Sequence, residues 1–203
     1  MKWDDFLPRV LPSVPGCPES LALQHIVDAA RTFASKTLVW QYEATPISSV
    51  ANVPDYTLQI EAGQELARIL WCSVDGREYT VPHAAQGRRL KRRNCGNVLI
   101  PTGPQDFQLS PAPQFDGLQV LTDIAVRPAL VGSIKWPDDL DENVTDIVSG
   151  ALSTLLELPG VTWRDMPESQ IQAGKFAARI AAVQFKVSHS YGGSRSRVRL
   201  RFF

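Results

Sequence analysis

Apolar spacing changes period twice along this chain, and no other feature limits the fold as tightly. Leu23, Ile26, Ala30 and Phe33 recur at helical spacing, one stripe of an amphipathic helix from about Glu19 to Lys36. From Leu38 to Leu130 the apolar runs become short or alternating, separated by Pro, Gly, Asn and Asp: Trp40–Ile47, Tyr56–Ile60, Ala67–Val74, Glu78–Val81, Asn97–Ile100, Phe107–Leu109 and Leu118–Val126. That pattern predicts six or seven strands, with a hairpin at Asp75-Gly76, where both residues tolerate positive φ in a tight turn. Helical spacing returns at Leu140, Val144, Ile147, Val148, Ala151, Leu155 and Leu158, predicting a helix over 138–158 that Pro159-Gly160 stops. A third helix is expected over 167–188. Its Gly174, Ala177, Ala178, Ala181 and Ala182 are small enough to let another helix approach closely.

The expected fold class is α+β. Residues 1–37 and 137–191 form a helical bundle from both chain ends, 38–136 an inserted β-sandwich-like module, and 192–203 an extended C-terminal arm. A long excursion between two helices needs its ends close together, and the bundle supplies that closure. Four of the fifteen prolines fall within Leu7–Pro18, which predicts an extended segment there, with Pro18 in the first turn of the following helix. Asp138, Asp139, Asp141 and Glu142 crowd a helix start, where negative charge complements the helix dipole; this reading is favoured over a Mg²⁺ site.

Conventional chemistry is hard to find in the 203 residues. His25, His83 and His189 stand alone, none with a second ligand at helical spacing, and His25 reads as a hydrogen-bonded, partly buried side chain. No GxSxG elbow, P-loop, GxGxxG or HExxH is present, so no catalytic residue, metal or cofactor is expected. Cys17, Cys72 and Cys95 are odd in number and widely spaced, which fits free thiols in a reducing compartment. The first residues lack the basic and apolar regions of a signal peptide, and no run is long enough to span a bilayer, so a soluble protein made inside a cell is expected, with no membrane partner.

Lys plus Arg and Asp plus Glu both total 21, so the whole-molecule field points to no particular partner. The cations are concentrated nevertheless. Arg88, Arg89, Lys91, Arg92 and Arg93 sit beside Gly87 and Gly96, as in a loop tip. Either the loop is simply solvated, or it meets phosphate or a charged neighbour; phosphate contact would give steep salt dependence without base specificity. In the tail, Arg195, Arg197, Arg199 and Arg201 alternate with Val198, Leu200 and Phe202 before Phe203. A strand there has one guanidinium face and one apolar face, which suits an arm docking on another chain; completing this chain's own sheet is the plainer alternative.

Several motifs resemble a known family. They are Phe6-Leu7-Pro8-x-Val10-Leu11-Pro12-x-Val14-Pro15-Gly16-Cys17-Pro18, then Ala29-Ala30-Arg31-x-Phe33 with Thr37-x-x-Trp40. Gly150-Ala151-Leu152 to Leu158-Pro159-Gly160-x-x-Trp163 and the closing Arg197-Val198-Arg199-x-Arg201-Phe202-Phe203 follow in order. Over roughly 3–42 and 118–203 the chain resembles the head-to-tail adaptor (connector) proteins of tailed bacteriophages, of the podovirus tail-tubular type. The β middle matches only in character, and the basic loop matches no family motif.

The resemblance implies a structural virion protein at the capsid vertex, made in host cytoplasm, that forms a homo-oligomeric ring, usually a dodecamer. Such a ring joins the portal protein to the tail or nozzle and extends the channel for double-stranded DNA. On this reading the tail docks on the portal, and Arg88–Arg93 faces the channel or a neighbouring subunit. A non-enzymatic electrostatic DNA-binding module is the alternative; zero net charge and the lack of a recognition-helix motif count against it.

Overall fold

A computed structural model describes residues 1–82, 96–130, 132 and 135–188. The chain is mixed α and β with antiparallel sheets, and it divides into two compact units. One comprises Met1–Val39 with the described part of Ile134–Phe203; the other is Trp40–Ser133.

The helical unit begins with a correction. The proline-rich segment is coiled, not extended: a 3-10 turn at Trp3–Phe6, a short helix α1 at Leu7–Val10 and a second 3-10 turn at Leu11–Ser13. Pro8 and Pro12 each fall in a first turn, where the missing N–H has no helical acceptor and the fixed φ is already helical. The coil turns Phe6, Val10 and Val14 fully inward. Helix α2 spans Glu19–Thr37, with Pro18 as its N-cap and not within its first turn. It ends at Leu38, whose N–H still donates to Ala34 O at 2.9 Å and whose left-handed φ of 53° then turns the chain out of the helix.

The acidic stretch is also corrected. Asp138–Asn143 is a 3-10 turn, and α3 starts only at Val144, running to Leu155. The Leu140 carbonyl accepts from Trp136 Nε1 at 3.0 Å and Asn143 Nδ2 at 3.3 Å, while the Val144 N–H bonds Asp141 O. With its carbonyl taken and its φ/ψ outside the helical region, Leu140 breaks the helix expected across 138–158. Helix α4 spans Met166–Lys186; Asp165 caps it by accepting from Glu168 N at 3.1 Å, and Pro167 lies in the first turn. Helices α2, α3 and α4 pack on one another. At their junction, a Cβ added to Gly150 would lie 2.8 Å from the Phe176 ring, whose centroid is 6.1 Å from that of Phe33. Ser169 Oγ donates to Ser153 O at 2.7 Å, tying α4 to α3, and Gln184 Nε2 donates to Lys36 O, satisfying the end of α2.

In the β unit, the strands are β1 (Gln41–Glu43), β2 (Ile47–Ser48), β3 (Asp55–Thr57), β4 (Gln64–Val74), β5 (Arg77–Tyr79), β6 (Val98–Pro101), β7 (Asp106–Ser110) and β8 (Gln119–Pro128). One sheet has the order β1-β8-β4-β5, with β2 also on β8; the other is β3-β7-β6. The single strand expected over Trp40–Ile47 is split at Thr45-Pro46, since proline has no N–H to donate; its halves pair with successive stretches of β8. The hairpin stands at Asp75-Gly76, with φ of 49° and 75°. Both sheets feed one core that includes Leu58, Ile69, Cys72, Leu99, Phe107, Leu109, Val120 and Ile124. A parallel bridge between Thr80 and Val98, with Leu99 N donating to Thr80 O at 3.0 Å, joins the edges.

Candidate functional site

Both groups of residues singled out from the sequence, Arg88–Arg93 and Arg195–Phe203, lie outside the described residues, as do His83, Cys95 and His189. Among the described residues, no three His, Cys, Asp or Glu side chains gather as metal ligands, and no helix is long and apolar enough to cross a membrane. Several of the described ionisable groups are paired within the helical unit. Asp138 holds the Met1 ammonium, Glu142 pairs with Lys186 at 3.1 Å, and buried Asp146 takes both its oxygens to Arg179 Nε at 3.0 and 3.1 Å. The ammonium beside Asp138 lowers the pKa of its carboxyl.

His25 is hydrogen-bonded and half-buried: its Nδ1 lies 2.8 Å from Thr154 Oγ1. That hydroxyl already donates to Ala151 O at 3.0 Å, so the imidazole Nδ1–H is the donor. Burial lowers the His25 pKa, and the nearby Asp28 charge opposes the shift. Cys17 and Cys72 are buried free thiols. Burial raises both, Cys72 to about 12, which leaves almost no thiolate at neutral pH.

What the described surface offers is contact area. The loop between β7 and β8 is stitched to the turn after β2: Asn52 N donates to Pro113 O, Ser49 Oγ to Phe115 O, Ala51 N to Asp116 Oδ1 at 2.7 Å, and Gly117 N to Ser49 O. Held by those bonds, the loop turns the Phe115 side chain outward, 67% exposed, with exposed Val50 and Val53 on the partnering turn. Beside Phe115 lies a groove of about 150 Å³ whose lining includes Val74, Asp75, Arg77, Tyr79, Asn97 and Pro111, so it carries both signs of charge.

In the helical unit, α4 buries Ser169, Ile180 and Val183 and leaves its opposite face in solvent. On that face Ile171 and Phe185 are exposed, and so are Gly174, Ala177, Ala178, Ala181 and Ala182. Among the described residues, the close approach between α3 and α4 is made at Gly150 on α3, not at the small residues of α4. Sequence reasoning passed over Phe115. The signal available was an aromatic residue inside Pro111-Ala-Pro-Gln-Phe-Asp-Gly117, a segment otherwise composed as a loop.

No protein-family model matches the chain, and no curated protein matches it in sequence.

Proposed function

We propose that this chain is a structural virion subunit, a head-to-tail adaptor that forms a dodecameric ring between the portal and the tail or nozzle of a tailed bacteriophage and extends the DNA channel. The observation that carries the reading is the order of the adaptor-like motifs, from Phe6–Pro18 through Leu158–Trp163 to Arg197–Phe203. The helices lend support: segments from both chain ends meet in one compact unit, and the sequence between them folds as antiparallel sheets. In this reading the helices act as a bundle and the two sheets as a sandwich over their shared core. Arg195, Arg197, Val198, Arg199, Leu200, Arg201, Phe202 and Phe203 form the portal-docking arm. Arg88, Arg89, Lys91, Arg92 and Arg93 face DNA or a neighbouring subunit. The role requires no cofactor and no catalytic step.

Mass measurement and negative-stain imaging of the chain mixed with its cognate portal test the reading. The expected result is a ring seated on the portal, and loss of seating when residues 195–203 are removed. A monomer that leaves the portal bare while retarding duplex DNA with steep salt dependence would replace the adaptor with a DNA-binding module.

A further inference from the structure

Asp146 is the one charged residue that is buried among the described residues, 7% exposed in the first turn of α3. Both of its oxygens go to Arg179 Nε on α4, at 3.0 and 3.1 Å, while the Arg179 side chain stays 51% exposed. Stability is a poor reason for such a pair, because an apolar pair of the same volume gives up less water and holds two helices together as well. Orientation is a better one. With Nε taken, the two Nη groups of Arg179 have no acceptor among the described residues. A planar fork gripped by its stem has already lost its rotamer freedom, so an anion that meets it is bound without that ordering cost.

The surroundings select the anion. Lys175 lies one helical turn before Arg179 on the same face of α4, exposed and with no partner among the described residues. Two cations at that spacing weaken a helix slightly, so nothing within α4 accounts for the pair. The nearby ions are already matched: Lys186 with Glu142 at 3.1 Å, and Glu168 with Gln172 at 2.7 Å. No Asp or Glu occurs in residues 83–95 or 189–203, so the segments outside the described residues supply no side-chain carboxylate. A duplex would lay a row of phosphates along this face and against exposed Glu142, whereas a peptide brings one or two carboxylates and no more.

We propose that Arg179, aimed by Asp146, anchors an acidic peptide segment of a partner protein, its Nη groups forking onto one carboxylate while Lys175 meets a second one turn away. Asp146 is a positioning residue in this arrangement. The inference goes beyond the adaptor reading and does not depend on it.

Two fluorescent alanine-based peptides test it, one with a pair of glutamates one helical turn apart and one with glutamines in their place. Each is titrated into the full chain and read by anisotropy. The glutamate peptide is expected to bind roughly tenfold more tightly and to protect Arg179 from phenylglyoxal, scored residue by residue by mass spectrometry. Arg179→Lys keeps the charge beside Asp146 but loses the fork; it is expected to melt close to the parent and to bind the peptide roughly fivefold more weakly. Asp146→Asn keeps both cations but releases the stem, and is expected to weaken binding severalfold while preserving the preference for glutamate. Arg9→Lys, at an exposed arginine, is expected to change nothing. Equal affinity for the two peptides, or an unprotected Arg179 in the parent chain, would overturn the inference even if a variant failed to fold. Glutamate-specific binding that Arg179→Lys leaves intact would put the peptide on Arg88–Arg93 or the tail and overturn it. A short DNA duplex that protects Arg179 where the peptide does not would make phosphate the ligand, with the same consequence.

Discussion

The two units solve the problem of closure in opposite ways. The β unit is one continuous stretch, Trp40–Ser133, whose long central strands β4 and β8 pair along most of their length, so its core is built within a single uninterrupted segment even though the paired strands are distant in sequence. The helical unit closes across the whole β segment: Ser169 and Ser153 lock α4 to α3, while His25 on α2 must find Thr154. Continuity makes the β unit self-sufficient. Discontinuity makes each half of the helical unit depend on the other, because Trp136 packs on Trp3 and Phe176 on Phe33 across the two halves, and Trp136 and Phe33 are fully buried.

The comparison breaks most decisively if the units do not unfold separately. Phe33→Ala and Phe107→Ala each empty a fully buried site and are expected to cost about 3–5 kcal/mol. Each unit has its own buried thiol, so alkylation in a Cys95→Ser chain reports them individually. Phe33→Ala is expected to open Cys17 while Cys72 stays protected, and Phe107→Ala the reverse. Labelling of both thiols in either variant would make the molecule one cooperative body.

A smaller effect contrasts two glycines of the helical unit. Gly150→Ala drives a methyl group into the Phe176 ring and is expected to cost about 1–3 kcal/mol. Gly174→Ala, facing open space, is expected to raise the melting temperature of the monomer; equal melting of the two variants would contradict the packing at the α3–α4 junction. In the β unit, Gly76→Ala forces a methyl-bearing residue to φ 75° in the β4–β5 hairpin and is expected to cost about 1 kcal/mol, read as a lower urea midpoint with Cys72 as reporter.

Acid separates the units most gently. The folded pKa of His25 lies below its unfolded value, so the unfolded state binds the proton first as pH falls. Its contribution is complete above the unfolded value near 6.5 and is lost as pH drops through the folded value. The helical unit is expected to lose stability over that interval, and His25→Gln to flatten the slope of its pH titration. The β unit has no described histidine and is expected to show no slope from this source.

These contrasts also show which parts of the fold could be read from the sequence. The α2 stripe and the Asp75-Gly76 hairpin were legible because each depends on local geometry: one on helical period, the other on two residues that accept positive φ. The misread segments turned on choices that spacing does not reveal. Prolines exclude helix interiors but fit first turns, so Leu7–Val10 coils. The acids from Asp138 form a separate turn because the Trp136 indole and the Asn143 amide take the Leu140 carbonyl. The exposed Phe115 surface was hidden for a related reason. Phe115 is held outward by bonds from Ser49, Ala51 and Asn52, more than sixty residues upstream, and no local pattern records so distant a partner.

A helix whose partners come last in the chain also imposes a schedule on synthesis. When Thr37 leaves the ribosome, roughly a hundred residues separate it from Val144 and the helices that cover α2. At about 5–20 residues per second, the apolar stripe of Ile26, Ala30 and Phe33 waits several seconds in water before its cover is translated. The sheets, complete once β8 has emerged, can fold during that interval. The nascent chain thus passes through a stage with a finished β unit and an uncovered helix, the species a trigger-type chaperone would meet. Slow codons placed just after β8 would lengthen that stage without changing a single residue.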